Sequence, residues 1–260
     1  LLRRKLAEVG LERRVPLTEV PPGGGFSVKP FTVDFIPLAH SVPQTQALLI
    51  GTPAGRVLHA SDWKLDPEPL LGPITDEQGL RAAGGKGLVA MMCDSTNVFV
   101  DGHTGSEGPL RKSLADIVAA QTSRVVVTLF ASNVARMESA IKAGVAAGRS
   151  VCLVGRSLFR IAEIARECGY LLDCPEFVDS RDVSHLPREN ILILATGSQG
   201  EDRAALSRIA REDHRDISLQ AGDTVIFSSR EIPGNERSIG RVQNALAKIG
   251  VKIITEHEAF

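Results

Sequence analysis

From residue 88 to residue 255, short apolar runs of strand length alternate with longer segments that have the spacing of amphipathic helices. The runs are continuous stretches of the kind found in strands buried on both faces, and they cover residues 88–93, 125–130, 151–154, 191–195, 225–228 and 251–255. The predicted helices between them cover residues 106–121, 133–147, 157–168, 201–211 and 235–249. Strands that alternate with helices favour a parallel sheet with right-handed crossovers. The sequence therefore predicts an α/β fold whose parallel-sheet domain spans residues 125–255, with helices on both faces.

The predicted helix 133–147 shows how these segments divide between core and surface. Apolar side chains recur at helical spacing and form a stripe that should pack against the sheet: Val134, Met137, Ile141 and Val145. The charged side chains fall elsewhere on the helix surface, at Arg136, Glu138 and Lys142. Such stripes indicate core packing and not a cofactor site.

The first 87 residues have a different organisation. Short strand-like runs at residues 31–36, 47–50 and 56–60 are separated by proline and glycine, which favour turns. Residues 66–87 are rich in proline, glycine and charge, and they contain one predicted short helix over 75–83. This change of pattern separates residues 1–87 from the regularly alternating part of the chain that follows them.

Composition excludes several classes of protein. Hydrophobic residues make up 43% of the chain, so it has enough apolar material for a core and is not disordered. No apolar run approaches the roughly 20 residues of a membrane span. The 30 basic and 31 acidic residues nearly balance, so charge alone does not predict a nucleic-acid partner. The four cysteines form no C-x-x-C pair, which favours reduced thiols in a cytoplasmic protein. From the residues at its two ends, we expect this chain to be a fragment of a longer protein.

The loops that follow the strands of the parallel-sheet domain carry small polar and basic residues. They include Ala131-Ser-Asn133, Arg156-Ser157, Ser198-Gln199 and the segment 228–235. Each loop leads into a helix N-terminus, where free N–H groups suit an anionic oxygen. The alternative is that these residues only cap helices and form turns. Four such loops together favour a phosphate-bearing ligand, although no Walker A or G-x-G-x-x-G loop is present.

Three polar residues in the first part of the chain also follow apolar strands. His40 comes after residues 31–36, Asp62 after residues 56–60, and Asp94 directly after residues 88–93. A metal site needs three or four ligands, and the spacing alone identifies only His40 and Asp62 as candidates. The alternative is that all three are turn residues or packed side chains.

The order of the motifs resembles that of the bacterial ribonuclease J family, which belongs to the β-CASP group of the metallo-β-lactamase superfamily. The motifs that carry the resemblance are AHSVP at 39–43, SDWKLD at 61–66, DSTN at 94–97, FASN at 130–133, GRS at 155–157, TGSQGE at 196–201, ALSRIA at 205–210, GDTVIFS at 222–228 and IPGN at 232–235. The resemblance implies part of an αββα-type metallo-β-lactamase core in residues 1–100 and a β-CASP domain in residues 101–260. It also implies a two-zinc ribonuclease with 5′-to-3′ exonuclease and endonuclease activities.

The resemblance further implies roles for individual residues. His40 matches a metal ligand, Asp62 matches the carboxylate that bridges two zinc ions, and Asp94 matches an acidic catalytic residue. The remaining positions match substrate-binding loops, with Ser198 near a 5′-phosphate pocket: Ala131, Ser132, Asn133, Arg156, Ser157, Ser198 and Gln199. The implied partner is single-stranded RNA with a 5′-monophosphate end, and the implied assembly is a homo-oligomer, either dimer or tetramer, without a membrane.

Several positions depart from the family pattern. Gln44 and Thr45 stand where many members have Asp-Ser, Ala135 where many have His, and Asp202 where Pro is usual. The remaining metal-ligand motifs are expected outside the 260 residues, so this chain alone should bind zinc poorly and lack nuclease activity. Two other functions stay open: a non-catalytic nucleotide- or RNA-binding module, and a hydrolase of DNA or another phosphoester.

Overall fold

The structure is a computed structural model that describes residues 1–256. It divides the chain into two compact units, Leu1–Ser106 and a second unit that begins at Glu107. Each unit has its own five-stranded sheet. No helix among residues 1–256 is long and apolar enough to cross a membrane.

The first unit contains two helices and five strands. In chain order these are α1 (Leu2–Glu8), β1 (Gly25–Val28), β2 (Phe31–Pro37), β3 (Gln46–Thr52), β4 (Gly55–Ser61), α2 (Glu77–Gly85) and β5 (Ala90–Cys93). The strands lie in the order β1-β2-β3-β4-β5, and each pairing is antiparallel except that β5 runs parallel to β4. The three strands that the sequence predicts before residue 61 are present, whereas α1 and β1 were not predicted.

The core of the first unit is small and lies under α2. It is formed by side chains from the strands and the helix: Ile36, Leu38, Ala47, Leu49, Leu58, Ala60 and Ala83. The prediction that residues 88–93 form a strand buried on both faces is wrong. β5 is an edge strand whose residues are all exposed, with Met91 and Met92 at 55% and 58%.

The second unit alternates strand and helix. Its elements are α3 (Glu107–Ala119), β6 (Val125–Thr128), α4 (Val134–Ala146), β7 (Ser150–Val154), α5 (Arg156–Glu167), β8 (Ile191–Ala195), α6 (Ala205–Ala210), β9 (Thr224–Phe227), α7 (Glu236–Ile249) and β10 (Lys252–Ile254). Two 3₁₀ turns, Ser180–His185 and Arg188–Asn190, precede β8. The strand order is β10-β9-β6-β8-β7, and every pairing is parallel. The predicted parallel α/β sheet is therefore confirmed.

Helices cover both faces of this sheet, as the continuous apolar strands require. Along β8, Ile191 and Ile193 belong to the core that contains residues of α6 and α7. Leu192 points to the other face, where Gly144 of α4 lies so close that an added Cβ would be 3.2 Å from the Leu192 side chain. Successive residues of a strand point to opposite faces, so one strand serves both cores.

Three details of the helices differ from the predictions. Arg136 and Glu138 of α4 are only 9% and 8% exposed, because α3 packs on the face that the sequence assigned to solvent. Val145, which the sequence placed in the apolar stripe, is 48% exposed. Helix α6 is also shorter than the predicted 201–211, since the chain first makes a turn in which the Ala204 amide donates to the Glu201 carbonyl.

Candidate functional site

The first sheet brings His40, Asp62 and Asp94 to one edge. Strands β2, β4 and β5 run in the same direction, because β2 and β4 are both antiparallel to β3 and β5 is parallel to β4. Their carboxyl ends therefore meet at the same edge of the sheet. His40 follows the end of β2, and the two aspartates directly follow the ends of β4 and β5.

Backbone and side-chain hydrogen bonds connect these three positions. The Asp94 amide donates to the Ser61 carbonyl at 3.0 Å, and the Trp63 indole Nε1 donates to the Asp94 carbonyl at 3.3 Å. Asp62 thus lies between two residues that are both bonded to Asp94. On the other side, Ala39 forms a β-bridge with Lys64, which holds the segment carrying His40 next to the segment carrying Asp62.

The Asp94 carboxylate is exposed, and a residue of its own turn donates hydrogen bonds to it. Its Oδ1 accepts from the Thr96 hydroxyl at 2.5 Å and from the Thr96 amide at 3.0 Å. These hydrogen bonds lower the pKa of Asp94 below its usual value, and the charge of nearby His40 adds a smaller effect in the same direction. His40 is itself oriented by Ser41, whose Oγ lies 3.2 Å from the His40 Nδ1.

The end of β4 has an irregular backbone. The pairing register with β5 shifts between His59 and Ser61, which is a β-bulge. Ser61 has a φ of 53°, a left-handed conformation that is uncommon for a residue other than glycine. Bulges next to active sites redirect side chains, and here the bulge immediately precedes Asp62.

The sequence analysis did not single out Asp66, which lies in the same loop as Asp62. It is 3% exposed, accepts from the Ser106 hydroxyl at 2.6 Å, and pairs with the Lys64 ammonium at 3.1 Å. Burial by itself raises the pKa of Asp66, but the hydrogen bonds from Ser106, the Glu68 amide and Lys64 together outweigh burial and lower it. The buried carboxylate therefore anchors the loop that carries Asp62.

The described residues do not form a complete metal site. Across residues 1–256, no group of three or more His, Cys, Asp or Glu side chains is placed to hold a metal ion. His40 and Asp62 lie at the same edge, but two ligands are fewer than zinc requires. The donor types suit zinc, whereas the number of ligands does not.

The second sheet places the other predicted site residues along its own carboxyl edge. All of its strands are parallel, so the loops after β6, β7, β8 and β9 lie at one edge. Arg156 and Ser157 open α5 and are both exposed, and Ala131 and Ser132 precede α4. At the start of α5, Gly155 has a φ of 126°, and an added Cβ would lie 2.5 Å from the Thr196 hydroxyl. Only glycine allows the loops after β7 and β8 to approach so closely.

Asn133 is the N-cap of α4. Its Oδ1 accepts from the Arg136 amide at 2.9 Å, so part of this side chain has a structural role. The sequence interpretation left open whether such residues bind substrate or cap helices. For Asn133 the capping role is established by the geometry, and a substrate contact remains a prediction.

Ser198 lines a cavity of about 220 Å³ at this edge. The serine is 3% exposed, and the other lining residues come from the ends of β9 and β10 and from α7: Phe227, Ser229, Glu231, Ile239, Gln243, Thr255 and Glu256. The lining is mixed, with hydroxyl, amide and carboxylate groups. Ser198, which was predicted to bind substrate, therefore lines a cavity.

A buried ion pair next to these loops was not predicted. The Arg136 guanidinium makes two 3.0 Å hydrogen bonds to the Glu107 carboxylate, from Nε and Nη2. Its Nη1 donates to the carbonyl and hydroxyl oxygens of Ser228, at 2.8 and 3.0 Å. This one side chain joins the start of α3, the first turn of α4 and the loop after β9. The spacing of charged residues on α4 gave no signal for it, because its partners are distant in sequence.

The comparisons with known proteins agree with this architecture. A family model described as "Ribonuclease J, beta-CASP domain" matches residues 122–246, which contain most of the second unit. Ribonuclease J of Sinorhizobium meliloti is 42% identical over 260 residues, which cover 100% of this chain and 46% of that protein. This similarity extends through both units. Over its whole length the chain is similar to ribonuclease J proteins, and residues 122–246 match the ribonuclease J β-CASP domain.

Other ribonuclease J proteins show similar identity. Ribonuclease J of Thermus thermophilus is 39% identical over 98% of this chain and 45% of its own length. Ribonuclease J 1 of Streptococcus pyogenes is 36% identical, again over 98% of this chain and 45% of that protein. The chain thus spans less than half the length of these relatives.

A solved structure shows the same fold at low sequence identity. It is described as a protein of unknown function from Enterococcus faecalis, and it superposes with a TM-score of 0.61 at 16% identity. The match covers 98% of this chain and 60% of that structure. At this identity the likeness concerns the fold alone.

Proposed function

We propose that this chain is part of a metal-dependent ribonuclease of the ribonuclease J type, which hydrolyses phosphodiester bonds of single-stranded RNA. The observation that carries the proposal is the convergence of His40, Asp62 and Asp94 at one edge of the first sheet. The proposal places the reaction at that edge. Residues 1–100 would then be part of the metallo-β-lactamase core, and residues 101–260 the β-CASP domain.

The metal would be zinc, and His40 and Asp62 would be two of its ligands. Two metal ions held by a shared carboxylate activate water and neutralise developing charge on a phosphodiester. The described residues hold too few ligands for such a site, so the proposal assigns the other ligands to parts of the protein beyond them. Asp94 is the second catalytic carboxylate in this proposal.

The second unit would bind the RNA. The N-terminal turns of α4 and α5 present backbone N–H groups, which suit phosphate oxygens, and the exposed Arg156 guanidinium adds a positive charge. Ser132, Asn133 and Ser157 would donate hydrogen bonds to the ribose-phosphate chain. Ser198 would contact the 5′-monophosphate end, which supports 5′-to-3′ exonuclease action alongside endonuclease cleavage.

Two further properties belong to the proposal. All four cysteines are free, which is typical of proteins in the reducing cytoplasm. The whole protein would act there as a homo-oligomer, and light scattering of the purified protein measures whether it is a dimer or a tetramer.

The decisive experiment uses the whole protein and a single-stranded RNA that carries a 5′-monophosphate and a 3′ fluorophore. Asp62→Ala should lower the cleavage rate at least a hundredfold, because a bridging ligand affects both metal ions. Asp34→Ala is the matched control, since Asp34 is an exposed aspartate within β2 and away from the carboxyl edge. Full activity in Asp62→Ala would refute the assignment.

The same assay separates the alternatives. A whole protein that binds this RNA but does not cleave it with added zinc would be a binding module. Faster cleavage of DNA of the same sequence would indicate a different hydrolase. The 260-residue chain by itself should show no zinc-dependent cleavage, because residues 1–256 place too few ligands together, and cleavage inhibited by EDTA would contradict that expectation.

A further inference from the structure

Gln199 is a buried side chain that joins two loops at the carboxyl edge of the second sheet. It is 5% exposed and belongs to the loop after β8. Its Oε1 accepts from the Ile232 amide at 2.9 Å and from the Asn235 Nδ2 at 3.1 Å. Its Nε2 donates to the Arg230 carbonyl at 2.9 Å and approaches the Ser229 hydroxyl at 3.4 Å. All four contacts are with the loop that follows β9.

These contacts use the whole hydrogen-bonding capacity of the carboxamide. A glutamine side chain has two N–H donors and an oxygen with two lone pairs, and each has a partner here. The side chain therefore has no polar group left for an RNA molecule. Gln199 was predicted to bind substrate, but its contacts indicate that it acts through the loop of residues 229–235.

A second restraint holds the same two loops together. Gly200 has a φ of 73°, and a Cβ added to it would lie 2.3 Å from the carbonyl carbon of Ser238 in the first turn of α7. The loop after β8 thus contacts the start of α7 at a distance that only glycine permits. Gln199 and Gly200 together fix this loop against the segment 229–239.

The cavity that Ser198 lines lies between these two segments. Ser198 precedes Gln199 on one loop; on the other, Ser229 contacts Gln199 directly, and Glu231 lies between Arg230 and Ile232, which Gln199 also contacts. The position of one cavity wall relative to the other therefore depends on the Gln199 hydrogen bonds. The Gln199 hydrogen bonds tie together the two loops that contribute Ser198, Ser229 and Glu231, while β9, α7 and the end of β10 supply the rest of the lining.

We propose that Gln199 is a positioning residue, which sets the separation of Ser198 and Ser229 and thereby the affinity of this cavity for the RNA end. The inference rests on the proposed ribonuclease function. It predicts that loss of the Gln199 hydrogen bonds weakens substrate binding much more than it slows the chemical step.

The test compares Gln199→Met with Gln121→Met in the whole protein. Methionine has nearly the same volume as glutamine and removes the hydrogen bonds. Gln121 is the matched control because it also bonds on both sides of its carboxamide: Oε1 accepts from the Thr224 hydroxyl at 3.1 Å and Nε2 donates to the Ile117 carbonyl at 2.7 Å. It precedes β6, at the opposite edge of the same sheet.

Gln199→Met should raise KM for 5′-monophosphorylated RNA at least tenfold with less than a threefold change in kcat. Amide hydrogen exchange of residues 230–235 should accelerate at least tenfold. Gln121→Met should leave both quantities within twofold of wild type. Gln199→Glu keeps the acceptor for Ile232 and Asn235 but loses the donor to Arg230, so it should raise KM by an intermediate factor. If Gln199→Met does not fold, Gln199→Glu decides by the same two readouts.

Unchanged exchange in residues 230–235 of Gln199→Met would overturn the inference, and so would an equal rise of KM in Gln121→Met. If the wild-type protein does not cleave RNA, the proposed function is refuted. The claim that Gln199 sets the affinity for RNA is then refuted as well. The loop-tying part is then decided by hydrogen exchange alone. The two failures are therefore distinguishable.

Discussion

Replacing Arg136 by methionine should destabilise the second unit strongly, because it leaves a buried carboxylate without its partner. The Glu107 and Arg136 side chains are 13% and 11% exposed, and the guanidinium is bound to both carboxylate oxygens. Removing one member of a buried ion pair typically costs about 3–5 kcal/mol. The substitution also removes two hydrogen bonds to Ser228. These contributions overlap, so we expect a loss of about 4 kcal/mol in the free energy of unfolding.

A second substitution, Glu107→Leu, tests whether the unpaired carboxylate causes the loss of stability. Replacing a buried ion pair by apolar side chains of similar size is often neutral or stabilising. The double variant Arg136→Met with Glu107→Leu should therefore be more stable than Arg136→Met alone. Arg181→Met is the exposed control, since Arg181 and its partner Asp179 are 74% and 45% exposed, and it should leave stability unchanged within error.

The assay is urea unfolding of the 260-residue chain followed by far-ultraviolet circular dichroism. Within residues 1–256, five of the seven α-helices belong to the second unit, so their loss reports mainly on that unit. A decrease below 1 kcal/mol in Arg136→Met would refute the reasoning about burial. A double variant less stable than Arg136→Met would refute the assignment of the loss to an unpaired carboxylate.

Three further predictions follow from individual side chains. Asn133→Ala should lose about 1 kcal/mol of stability with the helix cap and should also weaken RNA binding, whereas Asn133→Asp should retain the cap; urea unfolding and RNA titration measure the two effects. Because the pKa of Asp66 is lowered in the folded state, wild type should be more stable than Asp66→Asn above about pH 5, and unfolding curves should show this advantage shrinking as the pH falls below about 4. Burial raises the pKa of Cys152 to about 12, so mass spectrometry should find it unmodified by iodoacetamide at pH 8 while the exposed Cys93 and Cys168 react; rapid modification of Cys152 in the folded protein would contradict its burial.

The second unit was the more predictable part of the fold, and the reason is its strand composition. Runs such as residues 191–195 are apolar on both faces, which only a sheet covered by helices can satisfy, and the structure has β8 over the same residues. Residues 88–93 have the same composition, yet β5 is exposed and belongs to the other sheet. Composition identifies a strand but does not say which sheet it joins or what covers it.

The site was predictable only where position along a strand determines position in space. His40, Asp62 and Asp94 each follow a strand, and parallel direction of the strands was enough to bring them to one edge. Contacts between side chains distant in sequence were not predictable. The hydrogen bonds of Gln199 to residues 229–235 depend on how two loops pack, which no local spacing encodes.

The central place of β6 in the second sheet has a consequence for synthesis on the ribosome. β6 is the first strand of its sheet to be made, but its partners β8 and β9 begin only at Ile191 and Thr224. At about 5–20 residues per second, its buried Val125-Val-Val127 segment waits roughly 3–14 seconds for β8 and roughly 5–20 seconds for β9. Unpaired apolar β-formers are prone to associate with other chains. The nascent protein therefore depends on shielding by helices α3 and α4, or by a chaperone, until the last third of the chain has emerged.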